Sequence, residues 1–504
     1  MSRERGEVER IVVVGGGTAG WMAALYLRHL TRARNVSLTL VESPTIGAIG
    51  VGEATVPSIV EFMRTLGIDE REFMRRCSAT FKLAIRFADW RGEGAAYWHA
   101  FGLCGGQLNG LDLFHFWLKR RQQTGDDRAY ADYSVQAGLC EAGKAAWPYG
   151  GASAISQAGA YAYHLDAQAL ADYLRELATA AGVAHLHGHV RSAAFDESGL
   201  LTSLDIGGGR RIDGDLFVDA TGFQGRLIEG ELGDPWIDWS RRLLCDAAVA
   251  MPLPRDAAYP PYTLSSAARA GWIWRIPLQS RVGAGYVYSR AHMSKDEATA
   301  TLVTRSGLAD KRAADPRSLK MRIGRRTRFW LGNCVAIGLA SGFVEPLEST
   351  GIHMIFQGVK LLVDYWPTRG FAAAATAYND EMGALYDEAR DFIQLHYALA
   401  ARDEPFWRDA AAAALTPSIM ERIALYEETA RVRLGARPLF AEPSYHFIFA
   451  GNERLPRRSL LHVDLARSSE AWQVLDRIRS QNQAFVHQAP SHAAYLAQLA
   501  GAKP

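Results

Sequence analysis

Apolar and polar positions along this chain switch between two periods, and the order of the switches outlines the fold. Residues 10–14, RIVVV, form the short continuous apolar run of a strand buried on both faces. They enter GGGTAGW at 15–21, then an Ala/Leu-rich helical stretch to about Leu30, and a second apolar strand, SLTLVE, ends at Glu42. Strand, glycine turn, helix and strand make one βαβ unit. Residues 43–57 are rich in Gly and Pro and predict a loop, and one helical stretch is predicted from about Ser58 to Ser78.

Residues 81–90, FKLAIRFADW, alternate and predict a strand, and 166–182 predict an amphipathic helix. A strand is expected near 184–190, and a hairpin around the glycines at 207–209. Residues 215–222 read as a buried strand ending in glycine, and 334–344 as a third buried strand with a glycine turn. WIWRIP at 272–277 alternates strictly and stops at proline. After about 366 the pattern changes to Ala-rich helix with few strand signals, and no internal repeat is visible. The class is therefore α/β. The expected organisation is a nucleotide-binding body over 1–365, with interleaved substrate-binding segments at about 80–165 and 240–330. A mainly helical, substrate-covering module follows over 366–504.

Composition excludes several functions. The chain has 504 residues, 48% hydrophobic and 22% charged, with a net charge of +2. A nucleic-acid surface needs clustered Lys and Arg. The nearest candidate, Arg322, Arg325, Arg326 and Arg328, reads as a solvated, locally paired strand face. No run reaches the roughly 18 apolar residues that span a bilayer. The charged start MSRERGEVER lacks the apolar core of a signal peptide. The five cysteines are scattered, with no C-x-x-C, which argues against disulfides or zinc and for reduced thiols in a cytoplasm.

Gly15, Gly17 and Gly20 match G-x-G-x-x-G between a strand and a helix, and Glu42 closes the next strand 22 positions after Gly20. That context is what a dinucleotide fingerprint requires. Gly15 permits the tight turn, Gly17 lets the backbone approach a pyrophosphate, and Gly20 allows close helix packing. Glu42 would accept hydrogen bonds from a ribose. The motif does not choose between FAD and NAD. Asp219-Ala220-Thr221-Gly222 and Gly338-Leu339-Ala340-Ser341 each end a strand as in flavoprotein hydroxylase-like proteins, which favours FAD in a Rossmann-like fold.

Three further segments carry a resemblance. Gly271-Trp272-Ile273-Trp274-Arg275-Ile276-Pro277 contains W-x-W-x-I-P, Phe81-Lys82-Leu83-Ala84-Ile85-Arg86-Phe87 presents a lysine in an apolar series, and Pro346-Leu347-Glu348-Ser349-Thr350-Gly351-Ile352 forms a polar turn. Together they resemble the flavin-dependent halogenases, with the tryptophan halogenases nearest. IGVGEATVPS at 49–58, DFIQLHY at 391–397 and EPFW at 404–407 are similar to the same family. The resemblance implies that Lys82 and Glu348 are catalytic, and that the amides of Thr350 and Gly351 hold halide. It implies cofactor contacts from Gly15, Gly17, Thr18, Ala19, Gly20, Glu42, Val51, Gly52, Glu53, Ala54, Val190, Leu339 and Ile352. Trp272 and Trp274 would lie beside the flavin and discourage direct access of substrate to it. Core packing is the plain alternative for the two tryptophans and is compatible with that role, and an N-capping turn is the plain alternative for Ser349 and Thr350.

The implied chemistry runs from reduced FAD and oxygen, through a flavin hydroperoxide and hypohalous acid, to Lys82. Glu348 would polarise the lysine adduct or stabilise the cationic ring. His99-Ala100-Phe101 resembles the H-x-F pattern that sandwiches an indole. Segment 444–454 departs from the family's pattern for gripping free tryptophan, so an indole or larger indole compound is as consistent a substrate. Bromide and chloride both remain open. With no second Gly-rich fingerprint for NAD(P)H, a separate NADH-dependent flavin reductase is implied. A homodimer is a family-level expectation. The competing reading is an FAD-dependent aromatic monooxygenase.

Overall fold

A computed structural model describes residues 8–45, 52–145, 160–256, 258–308, 315–368 and 370–501. Val51 and most of the Gly-rich loop before it lie outside the described residues. The chain divides into two compact units, each assembled from three separated stretches. The first comprises 1–78, 165–240 and 321–389; the second comprises 79–164, 241–320 and 390–504.

The first unit is built on a six-stranded sheet in the order 184–187, 37–42, 10–14, 216–219, 334–336, 330–331. All neighbours are parallel except the last pair, which is antiparallel. The central strands Arg10–Val14 and Leu216–Asp219 are almost wholly buried, as their unbroken apolar runs require. Helix Thr18–Leu30 packs on helices Ala167–Ala180 and Gly351–Asp364. Asp166 caps the second of these by accepting from the backbone N–H groups of Gln168 and Ala169. The hairpin expected at 207–209 joins strands Leu201–Asp205 and Arg211–Asp213.

Two expected elements are broken. The helix over 58–78 is two helices, Ser58–Leu66 and Glu70–Arg76. Gly67 takes a left-handed φ of 66° and ends the first, and Asp69 caps the second through the Glu72 N–H. The basic stretch is paired, as expected, but not fully solvated. Arg326 is completely buried and bonds Glu229 and the Ala340 carbonyl, while Arg322 also meets Glu229. Arg325 and Arg328 pair with Asp387 and Asp234.

The second unit is built on a seven-stranded sheet in the order 317–320, 247–253, 282–288, 271–277, 262–268, 84–88, 96–100. It is antiparallel except where 262–268 runs parallel to 84–88. The strand expected over 81–90 is likewise two strands. Thr80–Lys82 pairs with the 162–164 segment, whereas Ala84–Ala88 joins the large sheet. The break falls at Leu83, whose N–H donates to the Pro261 carbonyl and whose carbonyl accepts from Phe101. After residue 400 this unit adds helices Pro405–Ala412, Pro417–Thr429, Glu442–Gly451, Ser468–Gln488 and His492–Leu499. Three of them carry proline in the first turn, where its missing N–H costs nothing. No described helix is long and apolar enough to cross a membrane. All five cysteines are buried, and none is in a disulfide.

Candidate active site

In the first unit the three fingerprint glycines do three different things. Gly15 has φ 118°, and a Cβ there would lie 2.2 Å from the Ala220 carbonyl oxygen. At Gly20 it would lie 1.8 Å from the Gly15 carbonyl oxygen, so only glycine lets this helix seat on its turn. Gly17, at the head of helix Thr18–Leu30, has nothing within 4 Å, and no side chain caps the helix. Backbone N–H groups at an open helix N-terminus suit a pyrophosphate. Gly16, which the fingerprint does not single out, is pressed by Glu42: a Cβ would lie 2.1 Å from its carboxyl carbon. The run of three glycines was the available signal.

Two other strand ends converge on this turn. Asp219 is fully buried and accepts from the N–H groups of Thr221, Leu227 and Ile228, which fixes the Ala220 corner. Gly338 has φ 69°, and a Cβ there would lie 2.7 Å from that of Ala19, so the Leu339 turn abuts helix Thr18–Leu30. Thr18 donates to the Ala167 carbonyl. Val190 packs against the buried cluster that includes Val12, Val14 and Phe217. Gly52, Glu53 and Ala54 form a short strand, and desolvation lifts the Glu53 carboxyl to about 7. This convergence outside the carboxyl ends of parallel strands is where such sheets bind ligands.

The Pro346–Glu348 turn runs into helix Gly351–Asp364, also in the first unit. Ser349 holds a left-handed φ of 59°, which redirects the chain so that successive amides follow one another into the helix. Glu348 and Thr350 are buried, at 2% and 1% exposure. Thr350 makes no side-chain cap, contrary to the capping alternative at that residue, and Gly351 has nothing within 4 Å of a built Cβ. Ile352 is buried at the start of the helix.

Lys82 belongs to the second unit and is fully buried. Its ammonium lies 5.1 Å from the centre of the Phe101 ring, within cation–π range. Two residues before it on the strand, Thr80 bonds the Pro277 carbonyl and His164 Nδ1, and His164 Nε2 bonds Thr263. Burial, helped by the charge of Lys82, pushes His164 well below its ordinary pKa, so it stays neutral beside the lysine. Nothing in the sequence marked Thr80, His164 or Thr263, because their link is made by pairing of strand Thr80–Lys82 with residues 162–164. His99 is only 4% exposed and is ringed by Phe392, Phe440 and Phe447 at 5.7–6.3 Å.

Trp272 and Trp274 stand on one face of strand Gly271–Pro277, as the alternation required, with ring centres 6.1 Å apart. Gly285, opposite Trp274, makes room for its indole. The segment at 444–454 is mostly helix Glu442–Gly451, and its Tyr445 and His446 are fully buried. His446 stacks on Phe114 at 3.8 Å and bonds Tyr426.

The first unit is thus a Rossmann-type flavoprotein fold, and the second carries the buried lysine and the paired tryptophans. The family model described as tryptophan halogenase matches residues 10–467. A tryptophan 6-halogenase, ThaL of Streptomyces albogriseolus, is 36% identical over 98% of this chain and 99% of its own. A tryptophan 7-halogenase, RebH of Lentzea aerocolonigenes, is 38% identical over 84% of this chain and 82% of its own. Among solved structures, the flavin-dependent halogenase Xcc4156 of Xanthomonas campestris superposes with a TM-score of 0.92 at 40% identity, covering 99% of this chain and 100% of that one. BrvH of Brevundimonas sp. BAL3, of the same class, gives 0.91 at 38% identity, over 98% and 99%. The chain belongs to the tryptophan halogenase family. It is a flavin-dependent halogenase, and FAD and halide are the cofactors that membership implies.

Proposed function

We propose that this protein halogenates an electron-rich aromatic ring, an indole or a tryptophan derivative, with Lys82 delivering the oxidised halogen. The observation that carries the reading is a fully buried lysine whose ammonium faces the Phe101 ring. A buried ammonium beside an aromatic ring is placed for chemistry away from bulk water. Reduced FAD supplies the oxygen activation that converts halide to an electrophilic halogen species.

The residues of the chain then divide the work. The glycine turn, Thr18, Ala19, Glu42, the 52–54 strand, Val190, Leu339 and Ile352 hold and orient FAD. The amides of Thr350 and Gly351 hold the halide. Lys82 donates a hydrogen bond to the oxidised halogen or carries it on Nζ, and neutral His164 leaves that ammonium the sole cation of the pair. Glu348 stabilises the positive charge that develops on the attacked ring. Phe101 and His99 shape the ring's position, and Trp272 and Trp274 keep substrate from the flavin. A separate NADH-dependent flavin reductase supplies the reduced cofactor. The family match favours this reading over a monooxygenase.

The test is incubation with FAD, NADH, a flavin reductase, bromide or chloride, and a panel of indoles, with products read by mass. Halide-dependent halogenated product is expected. A hydroxylated product formed equally without halide would sink the assignment.

A further inference from the structure

Strand Ala184–His187 is the outer strand of the six-stranded sheet, and the sequence from 185 to 189 reads His-Leu-His-Gly-His. Alternation puts His185 and His187 on one face, with ring centres 4.6 Å apart. The neighbouring strand pairs in parallel, and its Glu42 stands opposite His187. His185 Nε2 lies 2.9 Å from a Glu42 carboxylate oxygen. One ligand atom from each of Glu42, His185 and His187 lies within 4.8 Å of the others. His185 and the fully buried Trp21 pack T-shaped, 5.0 Å between ring centres, which restrains the imidazole's orientation.

An ion pair between Glu42 and His185 needs only one imidazole. A second imidazole on the same face, within ligand distance of the same carboxylate, makes a different donor set. Two histidines and one glutamate are a set that zinc takes with its fourth position open. Zinc–nitrogen bonds of about 2.0–2.1 Å place tetrahedral ligands about 3.3 Å apart, which side-chain rotation reaches from the present spacing.

We propose that Glu42, His185 and His187 bind a divalent transition metal, Zn2+ foremost, and that this metal and FAD compete for Glu42. The competition rests on Glu42 being the ribose acceptor; the metal site does not. On binding, His185 Nε2 gives its lone pair to the metal in place of its hydrogen bond to Glu42, with the single imidazole proton on Nδ1 in the bound tautomer. The Glu42 oxygen that binds the metal is withdrawn from a ribose hydroxyl, and the metal's charge weakens the other oxygen as an acceptor. By linkage, metal and cofactor weaken each other by the same factor.

The experiment uses the full-length, FAD-free, metal-stripped protein titrated with Co2+, whose visible absorption intensifies in a low-coordinate site. A saturable band is expected, lost in His185→Ala and His187→Ala. His187 is exposed and outside the cofactor contacts, so retained FAD binding certifies that His187→Ala is folded. Excess Zn2+ is expected to weaken FAD binding at least tenfold in the parent and not in His187→Ala. Absence of the band, or its survival in His187→Ala, overturns the site. If Zn2+ binds yet leaves FAD affinity unchanged while Glu42→Gln lowers it, competition is overturned. If Glu42→Gln itself leaves FAD affinity unchanged, the ribose reading fails and the Co2+ result still decides the metal site.

Discussion

The indole of Trp274 occupies the space where Gly285 would carry a side chain: a Cβ there would lie 2.0 Å from the ring. The two residues face each other on paired strands of the seven-stranded sheet. Gly285→Ala is expected to cost about 1–3 kcal/mol by overpacking, read by denaturant unfolding. Trp274→Phe in the same background should recover most of it, because the smaller ring no longer fills that space. An equal loss in both backgrounds would place the cost in the strand backbone instead.

The glycines of the nucleotide turn should separate folding from binding. Gly17 has extended backbone and open space around it, so Gly17→Ala is expected to change stability by less than about 0.5 kcal/mol. The same change should weaken FAD binding at least tenfold, by fluorescence titration, because the methyl enters the space assigned to the pyrophosphate. Gly20→Ala collides with backbone and should lower the unfolding midpoint of the FAD-free protein itself.

Lys82→Ala is expected to reduce halogenated product at least 100-fold while FAD affinity stays within twofold. Product mass spectrometry and flavin titration check the two halves. Retained product in Lys82→Ala would move the delivery of halogen to another group.

Acid should destabilise the fold through its buried histidines, offset in part by Glu53 at about 7 and Asp112 at about 6, whose raised carboxyls take up protons in the folded state. Burial holds His115, His353 and His492 down to about 4, and His164 and His446 well below the ordinary 6.5. A histidine depressed in the folded state binds fewer protons there than in the unfolded chain. Its stabilisation is complete above 6.5 and declines as pH falls toward the folded value. Each fully depressed histidine contributes up to about 1.4 kcal/mol per pH unit in that window. Unfolding midpoints at pH 8.5, 7.5 and 5.5 should be nearly equal for the first two and clearly lower for the third. A flat profile would mean these imidazoles protonate without opening the fold.

Much of this protein was legible in its residues. The buried strand at Arg10, the glycine turn and Glu42 follow from local pattern, because strand burial, positive φ and helix packing are set within a few residues. The same holds for the face shared by Trp272 and Trp274. What sequence could not decide was pairing. The breaks at Gly67 and Leu83 turn on a left-handed cap and on a strand that serves two sheets.

The distal partners were illegible for the same reason. His164 reaches Thr80 and Thr263 across strands far apart in the chain, and Arg326 is buried only because Glu229 comes to meet it. Lys82 was marked by its apolar neighbours, but its burial and the ring beneath its ammonium come from packing. Sequence by itself determined the nucleotide turn and the motifs of the family, because their geometry is local. Tertiary structure alone decided which polar groups are desolvated and which partners they meet, because those depend on strands that contact only after the chain has folded.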